Sequence, residues 1–165
     1  MAKNKEQQFK QVYKATKDQV YRLCLGFTGN EADAYDLFQE IQIKVWSHLE
    51  SFRKESNIKT WVYRIATNTA LLFVSQKKRR EQKKSNISIE YTRIESNEID
   101  PLDEDRQINE LYTAISSLKE IDRLIISLLL DKNSYEDIAN ITGLTPSNVG
   151  VRINRIKKTL SEKLS

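Results

Sequence analysis

Metal sites and disulfide frameworks have almost nothing to be made from in this chain. Its 165 residues include one cysteine, Cys24, and one histidine, His48. A lone thiol forms no internal disulfide, and one Cys with one His cannot assemble a zinc site. Cys24, between Leu23 and Leu25, is expected to behave as a small core residue. His48, with no second His to share a metal or complete a relay, is expected at the surface or its boundary. Four Gly and two Pro are too few for the many turns of a β-sandwich. No apolar run approaches the ~20 residues of a membrane-spanning helix, and Met1 to Gln8 lacks the apolar centre of a signal peptide. No nucleophile–base pair, Gly-rich phosphate loop or apolar carboxylate pair is visible either. The expectation is a helix-rich cytoplasmic protein that is not an enzyme, with no metal, no cofactor and no membrane insertion.

Charge is plentiful and uneven. Residues 1–84 carry 17 Lys and Arg against 9 Asp and Glu, residues 85–110 carry 2 against 8, and residues 111–165 carry 8 against 6. Two basic blocks therefore flank an acidic connector. Ser85 to Asp105 has no sustained period and contains Pro101, and it is long for a loop inside one compact domain. An all-α fold follows, with two small helical domains at 1–84 and 106–165 joined by a linker at 85–105.

Within the first block, a helix from Lys5 to about Gly26 packs through Phe9, Val12, Tyr13, Val20, Tyr21, Cys24 and Phe27. Asn30 with Asp33 resembles a capping pair for a second helix running to about Phe52. Ala34, Leu37, Ile41, Val45 and Leu49 form its apolar stripe, and Asp33, Asp36, Gln39 and Glu40 a polar one. Acids near a helix N-terminus complement the dipole, which is the plainer reading of them; a face for a partner is the other.

After a polar break at 53–59, a third helix from Thr60 to about Lys83 buries Val62, Ile65, Ala66, Thr69 and Phe73. Trp61, Arg64, Asn68 and Leu71 share another face, ahead of Lys77, Lys78, Arg79 and Arg80. Rings, hydrogen-bonding groups and cations so aligned suit a polynucleotide with stackable bases; a core helix with a solvated basic end is the plainer reading.

The second block begins with amphipathic segments around Ile108–Ile115 and Ile121–Leu129. Ser134 caps a short helix with Asp137 as partner, and Gly143 supplies a sharp turn. Thr145 caps a last helix with Pro146 in first position, and Val149, Ile153, Ile156 and Leu160 line its apolar side. Arg152, Arg155, Lys157 and Lys158 fall mostly off that stripe. These features describe a helix-turn-helix whose second helix enters a major groove; a plain helical hairpin with a cationic end is the alternative.

Asp33 to Trp46, Phe52, and Thr60 to Asn68 resemble the second conserved region of the bacterial extracytoplasmic-function (ECF) sigma factors. Ser134 to Ala139, with Val149, Arg152, Arg155 and Leu160, resembles their fourth region. The likeness covers about residues 9–82 and 107–164. It implies a subunit that lends promoter specificity to core RNA polymerase. It assigns Asp36, Gln39, Glu40 and Lys44 to polymerase contact. Lys59, Trp61, Arg64, Asn68, Lys77, Lys78, Arg79 and Arg80, with the loop from Lys54 to Lys59, fall to the −10 element and duplex opening. Ser147, Asn148, Arg152, Asn154, Arg155 and Lys158 fall to the −35 element. Promoter DNA and an inhibitory anti-sigma factor are further implied partners, and the linker is implied to thread toward the catalytic cleft and RNA exit path.

Two places depart from the family pattern. Gly150 and Val151 stand where many relatives carry a basic or polar pair, so either the backbone approaches DNA there or neighbouring side chains do the reading. Leu71, Leu72 and Phe73 are more apolar than usual, as a deeper packing surface or a partner's dock. A polymerase-independent helix-turn-helix regulator is the competing reading, and it leaves the Trp61 helix and the Asp36–Glu40 face without a task.

Overall fold

The computed structural model describes residues 2–54, 57–84 and 103–165, and among these it is built from α-helices. The linker expected at 85–105 falls mostly outside the described residues. The elements are α1 (Ala2–Thr28), α2 (Glu31–His48), a 3₁₀ turn (Leu49–Ser51), α3 (Ile58–Lys84), α4 (Asp103–Ser116), α5 (Glu120–Leu130), α6 (Tyr135–Thr142) and α7 (Pro146–Leu164).

Local chemistry sets these boundaries. Asn30 is the N-cap of α2: its Oδ1 accepts from the Asp33 amide at 2.8 Å, and its Nδ2 donates to the Asp33 carboxylate at 2.9 Å. The stripe Ala34, Leu37, Ile41, Val45 and Leu49 is completely buried as expected, but the chain tightens into the 3₁₀ turn after His48 rather than continuing to Phe52. Helix α3 starts two residues earlier than expected because Asn57 caps it, accepting from the Lys59 amide at 3.0 Å through Oδ1 and from the Trp61 amide at 3.1 Å through its carbonyl. Helix α4 likewise starts at Asp103, inside the stretch expected to be linker. Ser134 and Thr145 cap α6 and α7, each accepting an amide hydrogen bond of 3.1 Å, and Gly143 ends α6 at φ +81°.

Helices α1 to α3 pack together, as do α4 to α7, and one apolar core runs through both groups. Leu23, Phe27, Leu37 and Ile41 in the first group and Ile115, Leu124, Ile125, Leu128 and Ile153 in the second are fully buried, each contributing ~1.5–3 kcal/mol relative to exposure if aromatic or branched aliphatic. The groups meet where α1 touches α4 and α5, and where α3 touches α5 and α6. Helix α2 contacts only α1, α3 and the 3₁₀ turn among the described elements.

Two packing expectations change. Tyr13 lies at the surface rather than in the core, stacked on Phe9 at 6.0 Å and edge-on to Phe38 at 6.2 Å. Helix α3 is covered on two sides: Val62, Ala66 and Thr69 are buried as expected, with Ile65 and Phe73 partly so, but Tyr63, Thr67 and Ala70 are buried as well. No helix of the described residues is long and apolar enough to cross a membrane.

Candidate nucleic-acid interface

The first candidate surface lies between the end of α2 and the start of α3. Trp61 leans against Phe52, ring centroids 5.2 Å apart. Beside it a cavity of about 250 Å³ is lined by Lys44, His48, Ser51, Trp61, Ile65, Asn68 and Thr69. Trp61 and Asn68, one apolar plane and one amide offering both donors and an acceptor, are thus brought together as expected. Lys44 joins them in the groove, although the resemblance grouped it with the polymerase-contacting residues. His48 and Ser51 were not anticipated there. His48 Nδ1 is 2.9 Å from the Lys44 carbonyl oxygen, which has no hydrogen to give, so Nδ1 carries the proton. Ser51 donates to the His48 carbonyl at 2.6 Å. The signal that could have found His48 is its position four residues after Lys44, one turn further along the same face of α2. In the loop before α3, Lys54 holds φ +57°, a left-handed conformation uncommon for a side chain with a Cβ.

Three of the basic residues of α3 have partners. Arg64 donates through Nε to the Asn140 carbonyl of α6 at 2.9 Å. Lys77 pairs with Asp33 at the start of α2. Partial burial works against the Asp33 anion, but hydrogen bonds from Asn30 and Lys77 and the Lys77 charge outweigh it and hold the carboxyl below its ordinary range. Lys78 reaches Glu120 of α5 at 2.7 Å, and that bond, with a backbone amide, lowers the Glu120 pKa too. Lys59, Arg79 and Arg80 are exposed, and Arg79 and Arg80 make no ion pair among the described residues.

The second surface is the outer side of α7. A broad cavity of about 850 Å³ is lined by Ser147, Asn148, Arg152 and Arg155 together with Leu118, Lys119, Asp122 and Val151. Four of the six expected residues therefore share one depression at the helix N-terminus; Asn154 and Lys158 are exposed outside it. Arg152 is braced, donating through Nη1 to Asp122 at 3.1 Å and through Nε to Asn148 at 3.0 Å. Asp122 comes from α5, thirty positions earlier, and nothing in the local sequence of α7 announces it. Gly150 faces the start of α6: a Cβ there would touch the exposed Tyr135 ring at 3.6 Å. Val151 instead is 51% exposed and presents its isopropyl group to the depression.

The third surface is the outward side of α2. Asp36 and Gln39 are exposed and Glu40 is half-buried, interleaved with the exposed apolar side chains of Tyr35 and Ile43. Ile43, 63% exposed, is the residue that sequence reasoning passed over. Carboxylates around an apolar centre form a rim-and-core pattern suited to a protein partner carrying cations.

Residues 12–80 match the Sigma-70 region 2 family and residues 108–160 the Sigma-70 region 4 family. The chain is 36% identical over 143 residues to the ECF RNA polymerase sigma-E factor of Escherichia coli strain K12, covering 80% of this chain and 74% of that protein. It is 27% identical over 171 aligned positions to the ECF RNA polymerase sigma factor SigW of Bacillus subtilis strain 168, covering 98% and 91%. Among solved structures, the sigma factor RpoE of Bartonella quintana, in complex with the anti-sigma factor NepR, superposes with a TM-score of 0.75 at 26% identity over 95% of this chain and 96% of that one. CnrH in complex with the cytosolic domain of CnrY gives a TM-score of 0.70 at 17% identity over 96% and 88%, a likeness of fold alone.

Proposed function

The chain belongs to the ECF sigma factors of RNA polymerase, and from that premise we propose how its three surfaces divide the work of promoter recognition. The protein binds core RNA polymerase and directs it to specific promoters, where transcription initiates. Residues 1–84 and 106–165 act as the two domains, and the acidic stretch between them as their tether. The outer side of α2, through Asp36, Gln39 and Glu40 around Ile43, docks on the polymerase. The groove beside Trp61 receives an unstacked base of the −10 element, with Asn68 offering hydrogen bonds and Lys44 lending charge. Lys59, Arg64, Lys77, Lys78, Arg79 and Arg80 hold phosphates along α3. The N-terminal half of α7 reads the −35 element through Ser147, Asn148 and Arg155, with Arg152 oriented by Asp122, and Asn154 and Lys158 further along the same helix.

The observation that carries this reading is the order of parts in one chain: a Trp61–Asn68 groove backed by a polar-faced helix, followed by a capped helix-turn-helix. An operator-binding regulator needs only the second of these and is not favoured. No step of this work calls for bond chemistry on the part of the chain, so its role is recognition in the cytoplasm rather than catalysis. An anti-sigma factor is a further proposed partner, because a structural relative is held by one.

Purified protein and core RNA polymerase, mixed with fragments of genomic DNA, are expected to start RNA at discrete sites that neither component uses alone. Selective binding of duplex DNA by the free chain, with no effect on polymerase, would sink the reading.

A further inference from the structure

Val151 does not follow the pattern of the rest of α7. The buried stripe of that helix is Val149, Ile153, Ile156 and Leu160, and Val151 lies off it, exposed. A β-branched residue is also a weaker helix former than the Lys, Arg or Gln that suits an exposed position. Packing and local preference therefore both fail to account for it. Its surroundings set it apart from a scattered surface valine. It lines the depression of about 850 Å³ together with three cations, Lys119, Arg152 and Arg155, and one carboxylate, Asp122. Arg152 is turned to Asp122 and to the Asn148 side-chain oxygen, which occupies both of those acceptors. Ser147, Val151 and Arg155, all exposed and spaced by four, form the row that remains, with the valine at its centre, about 6 Å along the axis from each.

We propose that Val151 is a specificity-determining residue of the −35 contact, covering the C5-methyl group of one thymine in the major groove. This rests on the assignment above of α7 to the −35 element. On the major-groove edge of a duplex, thymine alone carries a methyl group; the other three bases offer donors or acceptors, for which an isopropyl group is no partner. The valine is a stiff probe. A helix holds its side chain to one strongly preferred rotamer, and the buried Val149 and Ile153, two residues to either side, anchor its backbone. Little conformational freedom is lost when it meets the base. The surrounding cations favour a polyanion over an apolar protein surface as the occupant, and they hold its phosphates while the valine reads a base between them.

The test uses the whole chain bound to core polymerase and a promoter located by mapping its RNA starts. Each thymine of the −35 element, on either strand, is replaced singly by deoxyuridine, which pairs identically with adenine and lacks only the methyl group. Promoter binding, measured by competition, is expected to weaken about fourfold at one position, the effect of one buried methyl group, and to change little at the others. With Val151→Ser the two bases at that position become equivalent, whereas Val151→Ile keeps the difference. Cytosine in place of that thymine lowers binding, and 5-methylcytosine recovers about fourfold only when the valine is present. Helix content and polymerase affinity are measured for each variant. A folded Val151→Ser chain that loses polymerase affinity would make the valine a protein contact and overturn the proposal. So would the absence of a uracil effect at every position, or an effect that survives Val151→Ser; both leave α7 on the −35 element. Indifference to a scrambled −35 element overturns the assignment of α7 as well.

Discussion

Gly26 and Ser127 meet so closely that a Cβ on the glycine would lie 2.4 Å from the serine Oγ and 3.4 Å from its Cβ. Ser127 cannot turn away freely, because its hydroxyl donates to the Arg123 carbonyl at 2.7 Å. Gly26→Ala gains up to ~1 kcal/mol of helix propensity but meets an overpacking cost of about 1–3 kcal/mol. A net loss of roughly 1 kcal/mol is expected in urea unfolding. Adding Ser127→Ala removes the offending oxygen and leaves ordinary Cβ contact, so the double variant should recover at least the original midpoint.

Gly150 gives the opposite sign. A Cβ there would rest against Tyr135 at 3.6 and 3.7 Å, ordinary contact inside a helix with no positive φ. Gly150→Ala is expected to raise stability by about 0.5–1 kcal/mol. Because the position faces Tyr135, initiation at the protein's own promoters should not change; a marked loss would mean that the backbone does approach DNA there.

On α2, Asp36→Arg with Glu40→Arg turns attraction for a cationic partner into repulsion. Polymerase affinity is expected to fall about 100-fold, ~2.7 kcal/mol. Neither side chain lies in the apolar core, and neither forms an ion pair among the described residues, so the circular dichroism spectrum should be unaltered. Ile43→Ala should weaken binding as well, leaving its salt dependence intact.

The helices themselves were readable from local chemistry. Asn30, Ser134, Thr145, Pro146 and Gly143 act through groups a few residues away, and the stripes of α2 and α7 repeat at the helical period. What escaped notice depends on distant segments. Tyr63, Thr67 and Ala70 are buried because α3 is covered on a second side by helices some 60 or more positions later, and a helix covered on two sides shows no single stripe. Asp122 and Glu120, which bind Arg152 and Lys78, are invisible for the same reason. His48 is at the surface as its lack of a metal-sharing partner suggests, but that criterion says nothing about lining a groove.

Arg155 and Arg152 should separate in a salt titration of promoter binding. Arg155 lines the depression and is exposed, so Arg155→Ala is expected to reduce the slope of log K against log salt by about 0.9, one phosphate's worth. Arg152 already faces Asp122, so Arg152→Ala removes a cation and leaves a carboxylate unpaired beside the DNA. It should cost more affinity than Arg155→Ala. Arg152→Ala with Asp122→Ala should recover part of that difference.

Stability at alkaline pH should report on Cys24. Burial pushes its thiol from an ordinary value near 9 up to about 12, since the thiolate would lose its solvation in the core. Between those values the unfolded chain gives up the proton and the folded chain keeps it. The unfolded state then binds fewer protons, and unfolding free energy falls by about 1.4 kcal/mol per pH unit for each such group. Tyr63, likewise raised by burial from near 10 to about 12, adds a second contribution that begins one unit higher. Stability attributable to these groups is therefore complete below pH 9 and declines as pH rises. Cys24→Ala, read by urea unfolding at pH 8, 9.5 and 10.5, should start lower because a buried sulfur is gone, yet lose less with each step. Parallel curves for the two proteins would place the thiol in contact with water and refute its burial beside Leu23 and Phe27.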